Sequence, residues 1–456
     1  MSRVVPVESV RFFSSASALH TARLFEFEGE FYRAVYPQHE AFWRGLFDKG
    51  IIDRLIGKKM LVETEISPLR LEGFPMVIKH RRIPFITYAT EWPAPALKDA
   101  ALLQARLNCE LAKDGLGSID AHPFNIVFDG AQPLMVDVGS ITPLQDIHQE
   151  SVVREFDARF LWPLRLMELK QRHIARWVLR DLDSLEASEV GYLLTSKTSV
   201  ATKIQRRLWR GWRRFQRRSQ HQSEGEKSVD VWFDRAEVVE SIELGLDRTE
   251  WSGYYAEFPP FDDPAKWRPK QHTIANVLER LRPRTLLDIG TNTGWFPQLA
   301  ATRGIRSVAC DLDEGCVDRM YLGVKSRALP VTSLVMNIRD PLGPHGPRLK
   351  YAAAMDRLRS ECVMALALMH HLVFRKMADF DSVIAMLTQF TSRDLVLEFI
   401  AKDDQYVADW LKKTKDPFEW YTLPNLVSRL EKRFQKVEAL TSNTPTRTIL
   451  VCTGLK

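Results

Sequence analysis

Leu286-Leu287-Asp288-Ile289-Gly290-Thr291-Asn292-Thr293-Gly294 decides the fold. An apolar run enters a glycine-rich turn, and residues from Trp295 to Arg303 follow with helical periodicity. Strand, turn and helix in that order begin an open α/β unit. Glycine permits the tight turn and lets a ligand approach the backbone closely. The helix start offers N–H groups that have no partner within the helix. The spacing, Asp-x-Gly-x-x-x-Gly, is not the Gly-x-Gly-x-x-Gly of dinucleotide folds, and it lacks the lysine of a phosphate loop. A carboxylate at Asp288 repels a pyrophosphate and favours a cation, such as a sulfonium carrying an α-amino group.

The flanking sequence repeats this alternation. A helix is predicted over 272–280, with Ile274, Val277, Leu278 and Leu281 on one side. Strands are predicted over 285–289, 307–310, 331–336, 362–366 and 394–399, separated by helices such as 295–303, 315–322 and 378–390. Residues 434–439 and 447–452 predict a closing hairpin. The fold class is α/β: a Rossmann-like sheet with helices on both faces and an antiparallel final strand. Ligands of such sheets bind beyond the carboxyl ends of the strands. Ala309-Cys310-Asp311 puts a second carboxylate there, where it can accept both hydroxyls of a ribose.

Asp288 to Gly294, Asp311, the His370-His371 pair after the fourth strand and Glu398 on the fifth resemble class I methyltransferases. A closer resemblance rests on Ile83-Pro84-Phe85-Ile86-Thr87-Tyr88, Glu91-Trp92, Leu97-Lys98-Asp99-Ala100, Asn125, and Leu397-Glu398-Phe399 with Lys402-Asp403-Asp404. These are similar to a bacterial two-part group related to a nodulation-associated methyltransferase. The resemblance implies a methyltransferase that uses S-adenosyl-L-methionine. It implies cofactor contacts from Asp288, Gly290, Asn292, Gly294, Asp311 and Leu312. Gly290 and Gly294 would shape the methionine end of the pocket. The adenine amine would fall at Asn337-Ile338, where members of the group tend to carry Asp instead of Asn337; an amide oxygen can still accept the amine hydrogen.

Methyl transfer from a sulfonium is an in-line displacement and depends chiefly on positioning. A nearby base helps an oxygen or nitrogen nucleophile lose its proton. The candidates are His370, His371, Glu398, Asp403 and Asp404. His371 is the first choice because imidazole titrates near neutrality, and Glu398 is the second. For His370, packing or loop hydrogen bonding is the stronger reading. Trp251, Tyr254, Tyr255 and Lys270 precede the first strand and either cover the donor pocket or cap the sheet edge.

The N-terminal part mixes helical and extended signals. Strands are predicted over 61–66, 74–78 and 83–89, and an amphipathic helix over 97–113. Asp120, then Asn125, then Asp137-Val138-Gly139 resemble the catalytic and metal loops of kinase-like folds, with magnesium at Asn125 and Asp137 if nucleotide binds. No glycine-rich phosphate loop accompanies them. Lys59 and Lys79 are the only lysine candidates, and Asp120 and Asn125 can equally cap turns.

Three regions are expected: an α+β, possibly kinase-like, accessory domain over 1–198, a basic helical segment and linker over 199–228, and the methyltransferase domain over 229–456. Net charge is +6, and the excess is concentrated in the segment from Lys203 to Arg218. That segment reads as a solvated linker helix first, an anionic-surface contact second, and an RNA contact through Trp209 and Trp212 third. Five scattered cysteines without CxxC spacing argue against disulfides and structural zinc. No apolar run reaches membrane-spanning length. A cytoplasmic enzyme acting on a small-molecule or glycan-related hydroxyl is expected; an RNA methyltransferase and an N-terminal phosphotransferase or binding module are the alternatives.

Overall fold

The computed structural model describes residues 4–13, 21–180, 224–255, 257–346, 349, 351–412 and 418–456. The basic segment 203–218 and its RNA and membrane-surface readings lie outside these residues. Among the described residues no helix is long and apolar enough to cross a membrane.

The C-terminal part holds a seven-stranded sheet: β1 (Thr285–Ile289), β2 (Arg306–Asp311), β3 (Val331–Val335), β4 (Ser360–Ala365), β5 (Thr391–Ile400), β6 (Phe434–Thr441) and β7 (Arg447–Leu455). Its order is β3-β2-β1-β4-β5-β7-β6. The first five strands run parallel, and β7 is antiparallel to both β5 and β6. The chain order reverses between β1 and β4, which makes the end of β1 a topological switch point.

Side chains alternate across the sheet, so neighbours along a strand serve different cores. Leu286, Met364 and Val396 pack under helix Pro269–Leu281 with Ile274 and Leu278. Leu287, Val363 and Leu397 enter the other core, with Val383 and Leu387 of helix Phe380–Thr388. Burial on both faces explains why these strands read as unbroken apolar runs.

The N-terminal part is built on a five-stranded antiparallel sheet, ordered Arg11–Phe12, Ala22–Phe27, Glu30–Val35, Met76–His80 and Thr64–Ile66. Its central hairpin turns at Glu28 and Gly29, with φ 50° and 80°, the pair of left-handed residues a two-residue turn requires. The predicted strand over 61–66 is shortened to Thr64–Ile66, and the one over 74–78 is shifted to Met76–His80. The one over 83–89 is not a strand. Its backbone is held by side chains instead of a ladder: Arg357 donates to the Ile86 carbonyl at 2.6 Å, and Tyr88 N–H donates to Glu91 at 3.1 Å.

The predicted helix over 97–113 spans Ala94–Ala112. Helix Glu224–Glu240 lies along it, so the polar stretch read as a linker turns helical from Glu224 and residue 229 falls inside that helix. Trp232, Ala236 and Val239 of this helix share a core with Ala100, Phe156 and Phe160.

Charged tethers join the two parts. Arg357 grips Glu91 through two hydrogen bonds of 2.8 and 3.0 Å, with both side chains under 5% exposed. Arg172 reaches Asp318 at 2.6 Å, and Asp318 also accepts the Ala94 N–H at 3.1 Å. Tyr321 and Lys325 both donate to Asp99 at 2.6 Å.

Candidate functional site

A cavity of about 270 Å³ opens beyond the carboxyl ends of β1, β2, β4 and β5. Gly290 and Asn292 from the β1 turn, Asp311 from β2, His370 and His371 after β4, and Ile400 from β5 line it. Trp251, Tyr254 and Tyr255 from the approach to the domain, with Tyr406, Trp410 and Arg447, complete the wall.

The β1 turn follows from its residue types. Gly290 has φ 75°, and a Cβ there would meet Leu368 at 3.3 Å. Asn292 is left-handed at φ 55°, a conformation asparagine tolerates better than most residues. Its amide donates to the Trp251 carbonyl at 2.8 Å, which ties the aromatic segment to the turn. Gly294 serves a different purpose from the one expected. It is absent from the cavity wall; its φ is 78°, and a Cβ would lie 2.5 Å from the Met320 sulfur. Glycine is needed there to seat the following helix against Met320.

Asp311 lines the cavity with both oxygens engaged by backbone donors: Asn292 N–H at 2.7 Å and Asp313 N–H at 2.9 Å. Each carboxylate oxygen keeps further accepting capacity. Burial holds its carboxyl above the usual range, opposed by those donors. Asp288 lies beneath the turn and off the wall, accepting Thr291 Oγ1 at 2.6 Å. Burial pushes it up to about 7, against the Thr291 hydrogen bond and the charge of Lys270.

His370 stacks on Trp410 with centroids 5.5 Å apart, and His371 meets Trp251 edge-on at 5.2 Å. The His370 Nδ1 is buried with no hydrogen-bond partner among the described residues. The expectation that these rings titrate near neutrality is corrected. Burial lowers His370 to about 2, reinforced by His371 and Arg447. Burial and then Arg375 lower His371 to about 4. Both rings are neutral at pH 7.

Glu398 does not reach the cavity. It is fully buried, paired with Lys270 at 2.6 Å and accepting Ser442 Oγ at 2.6 Å. Both its oxygens are therefore occupied by donors. Asp404 is likewise committed: it pairs with Arg447 at 2.9 Å and caps helix Gln405–Leu411 through Tyr406 N–H. Asp403 is exposed. Leu312 is 62% exposed, and Ile338 is buried in the core. Asn337 lines a separate cleft of about 210 Å³ with Glu91, Arg176 and Asp340, and its side-chain oxygen accepts Arg339 N–H at 3.1 Å. The cavity thus gathers Gly290, Asn292, Asp311, His370 and His371, but not Asp288, Gly294, Leu312, Asn337, Ile338 or Glu398.

Sequence reasoning missed Tyr406, Trp410 and Arg447. Arg447 opens β7 opposite Ile400, and only the strand register reveals that position.

In the N-terminal part, Arg33 on strand Glu30–Val35 reaches Asp137 Oδ1 at 2.7 Å, both groups buried. Asp137 Oδ2 and Asn125 Nδ2 are buried without partners among the described residues. An arginine thus occupies one oxygen of the proposed magnesium aspartate. Among the described residues, no group of three or more histidine, cysteine or acidic side chains could hold a metal ion.

No family model matches the chain. The chain is similar to nodulation protein NoeA of Rhizobium meliloti (strain 1021), 24% identical over 422 residues, covering 88% of this chain and 86% of the relative. Among solved structures it is similar to magnesium protoporphyrin IX methyltransferase (ChlM) from Synechocystis PCC 6803 with bound SAH: 14% identity, 40% of this chain, 82% of that one, TM-score 0.30. It is also similar to the bifunctional kinase-methyltransferase WbdD: 15% identity, 45% of this chain, 46% of that one, TM-score 0.31.

Proposed function

We propose that this chain, a class I S-adenosylmethionine-dependent methyltransferase in its C-terminal part, methylates a hydroxyl of a glycan-related or other small-molecule acceptor. The observation that carries the reading is a cavity at the switch point of a β3-β2-β1-β4-β5-β7-β6 sheet. Asp311 on its wall and buried Asp288 beneath the turn have no salt-bridge partner among the described residues.

The residues present fit the donor. Asp311 offers open lone pairs at the wall for a ribose. Asp288 supplies negative potential beneath the turn for an ammonium or sulfonium. Gly290 and Asn292 line the wall where the methionine end would lie. The adenine reading is not carried by this cavity: Asn337 lines the neighbouring cleft, Ile338 packs in the core and Leu312 is exposed. When bound, S-adenosylmethionine supplies an electrophilic methyl on sulfur.

The chain supplies alignment and proton acceptance. Neutral His371 accepts a hydrogen bond from the acceptor hydroxyl and so orients its oxygen. That hydroxyl becomes strongly acidic as its oxygen forms the new bond, so a base lowered to about 4 still takes the proton. His370, stacked on Trp410, fixes the His371 ring from behind. Glu398 positions Lys270 beneath the site and takes no proton.

Donor binding is tested by calorimetry with S-adenosylhomocysteine; no binding at millimolar concentration would end the reading. Transfer is tested with radiolabelled donor and fractionated bacterial glycans. The expected result is label in a glycan fraction, reduced roughly 100-fold by His371→Ala, with donor affinity unchanged. A wild-type rate in that variant removes His371 from the reaction.

A second reading concerns the N-terminal part. An antiparallel sheet, then helix Ala94–Ala112, then Asp120 and Asn125, a hairpin and Asp137-x-Gly139 follow the chain order of kinase-like folds. Arg33 stands on the sheet where such folds carry a lysine. This supports a kinase-like scaffold that presents substrate. ATP and magnesium binding abolished by Asp137→Ala would make it a phosphotransferase instead.

A further inference from the structure

A second cavity, about 520 Å³, lies between the two parts of the chain. Its N-terminal wall comes from the segment after helix Ile51–Gly57, from helix Ala94–Ala112 and from the hairpin Ile126–Met135. Its other wall is the start of β2 and the segment leading into β3. Arg306 opens β2 and Asp311 closes it, so this cavity sits a strand length, about 16 Å, from the methyl-donor cavity. It is not an extension of that site.

Five cations line it: Lys58, Lys59, Arg106, Arg306 and Lys325. Among the described residues only two acids do, Asp99 and Asp129, and they pair with Lys325 at 2.6 Å and Arg306 at 2.8 Å. The acids that meet Lys58 and Arg106 are Glu110 and Glu240, neither of which lines the cavity. Lys59 has no ion pair among the described residues. The lining itself therefore carries a formal excess of three positive charges, two of them answered by acids outside the cavity and that of Lys59 by none among the described residues. Between low-dielectric walls such an excess focuses the field and concentrates anions. The floor is apolar, with Leu103, Pro133, Leu329 and Pro330.

Lys59 and Ala328, both on the lining, are left-handed at φ 54° and 51° where helices Ile51–Gly57 and Glu314–Ser326 end, the Met60 N–H donating to the Leu55 carbonyl and the Leu329 N–H to the Val324 carbonyl. The hairpin turn at Gly130 packs against the other wall; a Cβ there would lie 2.9 Å from the Leu329 carbonyl. The two parts meet by backbone contact beside the cavity.

We propose that this interface cavity binds a small phosphorylated ligand, with the phosphate held by Lys58, Lys59 and Arg106 and its carbon skeleton on the apolar floor. A ligand seated there touches both parts of the chain and stabilises their docking.

The test uses the full chain and two probes, inorganic pyrophosphate and phenyl phosphate, titrated by calorimetry at low and moderate salt. Both are expected to bind, more weakly as salt rises, with phenyl phosphate losing less affinity to salt than pyrophosphate because of the floor. Lys59→Glu and Arg106→Gln should each weaken pyrophosphate about tenfold or more, the effect of one lost charge-assisted contact. S-adenosylhomocysteine affinity should stay unchanged in both variants. That control separates this proposal from the methyl-donor reading and shows that the variants are folded. No binding of either probe at millimolar concentration overturns the proposal, and so does pyrophosphate affinity that neither variant alters.

Discussion

Asp137 is a buried aspartate and Asp311 a partly buried one, both beside loops, yet their surroundings differ. Asp137 faces Arg33 at 2.7 Å, and at the junction of the two parts Glu91 faces Arg357 at 2.8 Å. Asp311 faces an open cavity and is held by backbone N–H groups alone; Asp288 below it is held by a threonine hydroxyl. A buried carboxylate costs several kcal/mol unless something compensates it. Where an arginine compensates, the acid fixes structure. Where none does, burial raises the carboxyl, and the site gains most from a ligand that brings the missing positive charge. Glu398 belongs with the first kind although it sits near the cavity, because Lys270 answers it at 2.6 Å.

The largest effect should come from breaking a paired acid. Arg357→Met leaves Glu91 buried and alone between the two parts. Urea denaturation should show a loss of about 3–5 kcal/mol. Replacing both partners, Glu91→Met with Arg357→Met, should recover most of that loss, since the apolar pair avoids desolvating two charges. The pair spans the junction, so both parts should unfold in one transition. A C-terminal part that keeps its midpoint in the single variant would break the comparison, because the pair would then fix only the segment from Ile83 to Trp92.

An unpaired acid should behave differently. Asp311→Asn removes a charge that no cation opposes among the described residues but sets an amide NH2 against one of its two backbone donors, so the melting temperature should change little. Its donor affinity should fall, since hydrogen bonds to a charged group contribute about 1.5–3 kcal/mol. Calorimetry with S-adenosylhomocysteine then reads a loss of roughly 10- to 100-fold. Asp137→Asn should lower the melting temperature and leave that affinity alone. Equal melting losses in the two variants would erase the distinction between structural and ligand-facing carboxylates.

The two regions also differed in how well their sequence could be read. In the C-terminal part, apolar runs bounded by glycine and aspartate place β1 to β5 within a few residues, because each strand is buried on both faces and carries no competing polar pattern. In the N-terminal part the segment from Ile83 to Ala89 reads as a strand and is not one. Its backbone partners are Glu91 and Arg357, and Arg357 lies more than 260 residues away in the chain. Within the site, Gly290, Asn292 and Asp311 were legible because local turn chemistry makes them face the cavity. The true setting of Glu398 depends on Lys270 from a helix before β1 and on Ser442 from a loop after β6, contacts that no spacing encodes. Arg33 was missed for the same reason: nothing around it in sequence signals that it reaches Asp137. Histidine basicity was misjudged because burial, which sets it, is a property of Trp251 and Trp410 closing over the rings.

The smallest effect is a slope with pH, and it isolates Asp288. Its carboxyl is pushed up to about 7 when folded, against an ordinary value of 3.8. The folded chain therefore keeps a proton that the unfolded chain has lost, and stability from this group is full below 3.8 and declines as pH rises to 7. Asp311, also raised, acts in the same direction. The histidines oppose them. His371 is lowered to about 4 from 6.5, so its contribution is full above 6.5 and is lost as pH falls to 4, and His370 continues below that. Between pH 4 and 6.5 these groups act against one another; His80 and His345, lowered by burial, add to the direction of the histidines, and Asp318, raised by burial, to that of the aspartates. Asp288→Asn removes one opposing group, so the variant's stability should climb with pH more steeply, by up to about 1.4 kcal/mol per unit. Donor binding gives the matching sign. A cation beside Asp288 favours its ionised form, so wild-type affinity should rise as pH climbs toward 7 and level off above it, with proton release below 7 that calorimetry in buffers of different ionisation enthalpy detects. The variant should lose that component. If its stability and binding profiles both superimpose on the wild type, the negative potential of the cavity does not come from Asp288, and Asp311 alone must supply the charge that separates this site from the paired acids elsewhere.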